Sequence, residues 1–410
     1  MQHMDKLISE DKIKRLYTLF IVLFPVISVY ASFVPGFTAG DVLLALFFCL
    51  WVFIVGKSYA TYSKTIMILM LPVMLSIVLT SAVSMIFNDQ YDYLNSFIRI
   101  VRCEFYFFSV LALSYRWFDW NLARSYIVKL GLLGTAFVFI QYISFYIFNY
   151  PLRGFVPFFK VYHENYMTAE YYQSIGTMFR PTSFFCEPAH FSRYMFIPLV
   201  LTLFSDERSD IYRSIIFTVA ILISTSGIGI MLALLCWGVW GFVRYADVLR
   251  KKGQSRIILA VFLLLLPIFL LFLFSNDSFI SSIQRILTSK LNNTNTAGGA
   301  RFRGYIEYFL LSPLFRVIGF GFGNIPETIG DAWFSGAASV LYGCGILGFA
   351  ACLFLFVGAY IKNGNTVSTM LLIVYFLLFL MDDCFFSHVS VIYLSFILFM
   401  PKDLCNHTFE

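Results

Sequence analysis

"LFIVLFPVISVYASFV", residues 19–34, and "IILAVFLLLLPIFLLFLF", residues 257–274, decide the fold. Each approaches the roughly 20 apolar residues that a helix needs to cross a hydrocarbon core about 30 Å thick. A transmembrane barrel would show short alternating segments, so these runs read as helices. The rest of the chain agrees: of its 410 residues 60% are hydrophobic and only 13% charged. The expected fold is all-α, a polytopic integral membrane protein of about twelve transmembrane helices, with residues 1–410 as one membrane domain. No nucleic-acid partner is expected.

Spans are expected near 17–34, 41–56, 65–87, 94–114, 125–148, 190–204, 212–224, 226–243, 257–275, 335–361, 367–382 and 386–400. The first is taken as an uncleaved span, because "MQHMDKLISEDKIKRL" offers no convincing cleavage site and a second apolar run follows closely. Twelve spans put both termini on one side. Connections on that side carry Lys14, Arg15, Lys57, Lys64, Arg116, Arg124, Arg208, Arg213, Arg244, Arg250, Lys251, Lys252, Arg256, Lys362 and Lys402, which marks it as cytoplasmic. The eight cysteines are scattered singly, without a C-x-x-C or a Cys/His cluster, and read as small buried hydrophobes.

On the opposite face "PGFTAGD" and "NDQYDY" are tight, but two connections are long, at 150–190 and 276–334. They hold Arg153, Lys160, Arg180, Arg285, Lys290, Arg301, Arg303 and Arg316. Long loops tolerate translocated charge, which is one account. The other is an anionic ligand, with phosphate as the natural candidate for a guanidinium fork. No solenoid-period repeat or inverted duplication of the halves is visible, which disfavours the commonest transporter architectures. "NNTNTAGGARFRG" reads as a loop tip leading into an amphipathic helix, "RFRGYIEYFLLSP".

Between the apolar regions lies "RPTSFFCEPAHFSRY", residues 180–194. Pro188 suits the first position of a helix and places Glu187 at the cap. His190 at i+3 and Tyr194 four residues further tend toward the same side. A carboxylate offsetting the positive helix end explains Glu187 structurally. Ser, Thr, Asp or Asn would cap better, and an arginine and an imidazole close by favour a functional group.

These residues carry a family resemblance. "RPTSFFCEPAHF" resembles the arginine, aromatic, Glu-Pro-x-His-Phe signature of the O-antigen polymerase group of bacterial membrane glycosyltransferases. "ILISTSGIGIMLALL" is similar to the Ser/Gly-rich helix start of that group, and "GGARFRGYIEYFLLSPLFRVIGFGFGN" to its arginine, aromatic, Pro-Leu and spaced-glycine pattern after the second outer loop. The resemblance covers residues from about 90 to the end. This chain departs from it in having Arg316 before the glycines and Tyr305 where Trp is common. Arg301, four residues before that aromatic, is taken as the matching arginine, with Arg303 in reserve.

The resemblance implies a polymerase on the periplasmic face of the bacterial inner membrane, joining undecaprenyl-pyrophosphate-linked repeat units, with membrane lipids, a chain-length regulator and a flippase as partners. It implies Arg180 and Arg301 as a pyrophosphate clamp, Glu187 as base, and His190 as its neighbour, with Tyr194 among the substrate-binding groups. The helix start and arginines would keep Glu187 ionised but weakly basic, so His190 can exchange roles with it. No cofactor and no metal are expected. The alternatives are a ligase that transfers the finished glycan, and a lipid-linked sugar flippase or transporter, which would need broken mid-membrane helices.

Three further groups stand out. Arg99 and Arg102, one turn apart near the outer end of the fourth span, read either as ligands from below for the lipid phosphate, Arg99 above all, or as internal partners of Glu104. Asp382, Asp383 and His388 in "MDDCFFSH" read as a polar turn rather than a metal site. Gly319, Gly321 and Gly323 read as a turn that lets the backbone approach a ligand or the lipid surface.

Overall fold

The computed structural model describes residues 10–55, 63–156, 158–162, 179–205, 207–250, 297–324 and 334–401, with residues 55, 246–250 and 297–302 described by backbone alone. Among them the chain is all-helical, with two isolated bridges and no strand. The helices are α1 (Glu10–Ile27), α2 (Ala39–Val55), α3 (Lys64–Phe87), α4 (Tyr93–Ser109), α5 (Trp120–Phe148), α6 (Pro188–Leu203), α7 (Arg208–Ile223), α8 (Gly227–Arg250), α9 (Ala297–Leu310), α10 (Pro313–Ile318), α11 (Gly336–Lys362), α12 (Thr366–Met381) and α13 (His388–Leu398). A π turn, Val110–Ser114, continues α4 into a last turn, Tyr115–Trp117.

Helices fall on the expected spans except 257–275, which lies outside the described residues, and the end of the first, where the helix stops at Ile27 instead of reaching residue 34 and Tyr30 and Ala31 bridge Val161 and Thr38. Among the described residues, four segments are long and apolar enough by length and composition to cross a membrane: Lys64–Phe87, Trp120–Phe148, Gly227–Tyr245 and Gly336–Lys362. Short polar side chains set several helix starts. Ser63, Asp92, Asp119, Ser335, Asn365 and Ser387 each accept a hydrogen bond from a backbone N–H of the first turn. Helix α6 is deeply enclosed, with every residue from Phe191 to Leu203 buried among α5, α7, α8 and α12.

Helix α11 is broken. Gly345 adopts φ 64° and ψ −164°, in the region open to glycine. The break fits against the spaced glycines: Phe320 N–H donates to the Tyr342 carbonyl at 2.7 Å, and Gly321 N–H to that of Gly343 at 3.0 Å. A Cβ on Gly319 would stand 2.2 Å from the Gly343 oxygen, and one on Gly345 2.3 Å from the Val317 oxygen. One expectation is thereby corrected: Gly319 and Gly321 bring the backbone against the protein's own broken helix, and Gly323 meets the stem of Arg99. The break in α11 is one of the two features a transporter would need, the other being charges distributed through a central cavity.

The segment is also tied to α3 and α4. The Ser84 hydroxyl donates to the Gly319 carbonyl at 2.8 Å, the Asn88 amide to Phe320 O at 2.9 Å, and Asp92 N–H to Asn324 Oδ1 at 3.0 Å. These contacts gather the C-terminal end of α3, the N-terminal end of α4 and the first third of α11 at one end of the bundle. The start of α6 and the end of α12 lie there as well, joined through Arg193 and Asp382.

Candidate functional site

Glu187 caps α6 in an extended conformation, φ −138° and ψ 152°, with Pro188 at the first helical position. Its carboxylate lies 3.9 Å from His190 Nε2, and the two side chains are 23% and 30% exposed, within reach of a ligand. The approach to this cap is fixed from α5. Gln141 Oε1 accepts from the N–H groups of Thr182 and Ser183, at 3.2 and 2.8 Å, and its amide nitrogen donates to Leu152 O at 3.1 Å. Phe179 stacks on Phe145 and Phe184 on Phe137.

Arg180 donates through Nε to Thr225 Oγ1 at 3.0 Å and through Nη2 to the Thr225 carbonyl at 2.9 Å. Thr225 sits at positive φ in the turn between α7 and α8. The side edge of the guanidinium is therefore committed to the protein, and its far end, Nη1 with the second Nη2 hydrogen, remains for an oxyanion. Ser192 and Ser224 hydroxyls lie 3.5 Å apart, and a Cβ on Gly229 would come within 2.5 Å of Ser192 Oγ, so α8 meets α6 closely at this level.

Beneath the cap lies a buried ion pair. Arg193 Nε and Nη2 both bond the Asp382 carboxylate, with side chains 7% and 0% exposed. The Tyr393 hydroxyl donates to the Arg193 carbonyl at 2.7 Å, Gly336 N–H to that of Asp382 at 2.9 Å, and Asp383 N–H to Asp382 Oδ1 at 3.0 Å. One pair thus joins α6, α11, α12 and α13. Asp382, expected only as part of a polar turn, is a buried counter-ion. In the sequence, the one signal for Arg193 is a charged residue inside an apolar helix start.

The other expected site residues are placed as follows. Tyr194 is buried and donates its hydroxyl to Val22 O of α1 at 3.0 Å, so it packs α6 and does not face a substrate. Arg303 pairs with Glu307 on its own helix at 3.0 Å. Arg301 lies in α9, with its side chain outside the described residues. Tyr305 donates to Leu380 O at 2.8 Å, two residues before Asp382, which brings α9 to the same end. Arg316 closes the end of α9, bonding Leu311 O and Phe309 O at 2.9 and 2.7 Å.

Arg99 is exposed, and its stem covers Gly323, where a Cβ would stand 2.6 Å from Arg99 Cδ. Nearby Asp92 is held below the usual carboxylate range, chiefly by hydrogen bonds from the backbone and side chain of Asn95, with Arg99 adding to them. Nothing joins Arg99 to Arg180, Glu187 or His190 among the described residues. Arg102 does not pair with Glu104: its Nη1 donates to Gly36 O and to the Tyr162 hydroxyl, at 3.2 and 3.3 Å. Glu104 Oε1 is buried without a hydrogen-bond partner.

Among the described residues no three His, Cys, Asp or Glu side chains cluster as metal ligands. Cys186, next to Glu187, is pushed up to about 12, first by burial and then by the neighbouring carboxylate, so it stays a thiol at neutral pH. The site therefore offers a carboxylate and imidazole at a helix start, a partly committed guanidinium, and a neutral buried ion pair below them. No protein-family model matches the chain, and no curated protein matches it in sequence.

Proposed function

We propose that the chain is a glycan polymerase of the O-antigen polymerase type, acting at the periplasmic face of the bacterial inner membrane on undecaprenyl-pyrophosphate-linked repeat units. One observation carries this reading. The stretches that resemble that group meet at one end of the bundle: Arg180 bonds Thr225 between α7 and α8, the Glu187–His190 pair stands on α6, and α9 reaches the end of α12 beside Asp382. All twelve expected spans, cytoplasmic termini and outer placement of both long loops belong to the same proposal.

In the reaction, a sugar hydroxyl of the acceptor repeat unit attacks the anomeric carbon of the lipid-linked glycan. A C–O bond forms there, the bond to the pyrophosphate oxygen breaks, and the undecaprenyl pyrophosphate departs with the electron pair. The hydroxyl proton passes to Glu187, with His190 orienting it, or to His190 with the roles exchanged. Developing charge on the pyrophosphate is met by the free end of Arg180, already oriented by Thr225, with Arg301 as the second clamp residue and Arg303 in reserve. The Arg193–Asp382 pair is internally neutral, so it holds the helix start without competing for the phosphates.

A transporter is the second reading, favoured by the break in α11. The carbonyls of Tyr342 and Gly343 at that break already accept from Phe320 and Gly321, which makes it a packing joint.

Deletion of the gene tests the reading. Lipopolysaccharide should carry cores with a single repeat unit; absence of attached repeats would indicate a ligase, and lipid-linked units left unexposed would indicate a flippase. With purified protein, Glu187→Gln should abolish polymer while still binding donor, and Arg180→Lys should reduce it sharply, because an ammonium cannot span Thr225 and a phosphate together. Normal polymer from Glu187→Gln, His190→Ala and Arg180→Lys alike would remove this end of the bundle from the chemistry.

A further inference from the structure

Beyond the start of α6, the same end of the molecule presents an aromatic edge that the chemistry does not use. Its backbone is pinned. Tyr30 bridges Val161 in antiparallel register, Ala31 N–H donates to Lys160 O at 2.8 Å, and Tyr162 N–H to Val29 O at 2.9 Å. Val156 N–H donates to the Tyr30 hydroxyl at 3.1 Å, and the Phe159 ring lies edge-on to Tyr30 at 5.6 Å. Gly154 is locked as well, since a Cβ there would stand 1.7 Å from the Ser183 oxygen.

From this fixed frame the apolar side chains point outward. Phe158 is 92% exposed and Phe33, in the turn between α1 and α2, 85%. Arg153 and Lys160, both exposed, flank the edge. Position limits what can cover it. The chain leaves α1 at Ile27 and enters α2 at Ala39, so the turn carrying Phe33 lies only a few residues beyond two helix ends. A turn just past two helix ends that bound the hydrocarbon core falls in the headgroup layer, some 5–8 Å thick on each side. Rings in that layer with cations beside them complement a negatively charged lipid surface.

We propose that Phe33, Phe158 and Phe159, with Arg153 and Lys160, form a docking edge for the anionic phospholipid headgroups of the outer leaflet. The rings enter the boundary between headgroups and acyl chains, and the two cations meet the phosphates. Contact between Gly154 and Ser183, four residues before Glu187, fixes the edge relative to the start of α6.

Bromolipid quenching tests this without any enzymatic assay. Phe158→Trp is placed in the full chain, reconstituted in vesicles containing phosphatidylcholine and phosphatidylglycerol, one of them brominated near the glycerol end of the chains. Phe97→Trp, on the exposed stripe of α4, reports correct insertion. The emission that Phe158→Trp adds to that of the six native tryptophans should be quenched, and brominated phosphatidylglycerol should quench roughly two- to fivefold better than its neutral counterpart at equal mole fraction. In the background of Arg153→Gln with Lys160→Gln that preference should vanish while quenching persists. Equal quenching by both lipids in the parent background would overturn the anionic assignment. Quenching by aqueous iodide alone, or by neither agent as expected of a tip covered by protein, would overturn the docking edge itself.

Discussion

Removing one member of the Arg193–Asp382 pair leaves a charge in the bundle with nothing opposite it. Breaking such a pair typically costs about 3–5 kcal/mol, whereas replacing both partners by apolar residues of similar volume is often neutral. Arg193→Met or Asp382→Asn should therefore lower the melting temperature of the purified protein by several degrees, and the double variant Arg193→Met with Asp382→Leu should recover most of it. Full stability in both single variants would contradict the pairing. The sequence made Glu187 legible as a cap because Pro188 marks the first turn locally. It left the partner of Arg193 hidden, since Asp382 lies 189 positions away and only the packed bundle joins them. Arg102 was obscured for the same reason: Glu104 is near in sequence, but the bonds go to Gly36 and Tyr162.

Among the elements, apolar runs place the helices well, whereas interruptions within them depend on what packs alongside. Gly345 sits in an apolar stretch with no proline, and its positive φ is set by the glycine segment pressed against it. Gly319→Ala should destabilise by more than the about 1–2 kcal/mol of a left-handed residue, because the added carbon also meets the Gly343 carbonyl. Gly238→Ala, in open space on α8, should instead stabilise by about 0.5–1 kcal/mol; chemical denaturation of the two variants reads the contrast. Asp119 makes the start of α5 sensitive to acid. Burial raises its pKa, but the Leu122 N–H and Lys14, 3.3 Å away, outweigh that and hold it low. A depressed carboxylate contributes stability above its unfolded pKa of about 3.9 and loses it as pH falls through the lower folded value. Asp119→Asn should thus be less stable than the parent at neutral pH, with the gap closing in melts taken below about pH 4.

For the molecule as a whole, the distribution of Lys and Arg predicts sidedness. A tag inserted at residue 160 should be reached from outside the cytoplasmic membrane, and one at residue 364, between α11 and α12, only after permeabilisation. The reverse result would move the Glu187 end to the cytoplasm and remove the periplasmic reaction with it. Order of synthesis also matters, because Ser84 and Asn88 end α3 with hydrogen bonds to backbone that lies 235 and 232 positions further on. At roughly 5–20 residues per second, those two side chains wait roughly 12–47 s for their acceptors to leave the ribosome. Throughout that interval the last turn of α3 is an open seam at the membrane surface. A nascent chain halted short of Gly319 keeps that seam, so the end of α3 closes only when the chain is nearly complete.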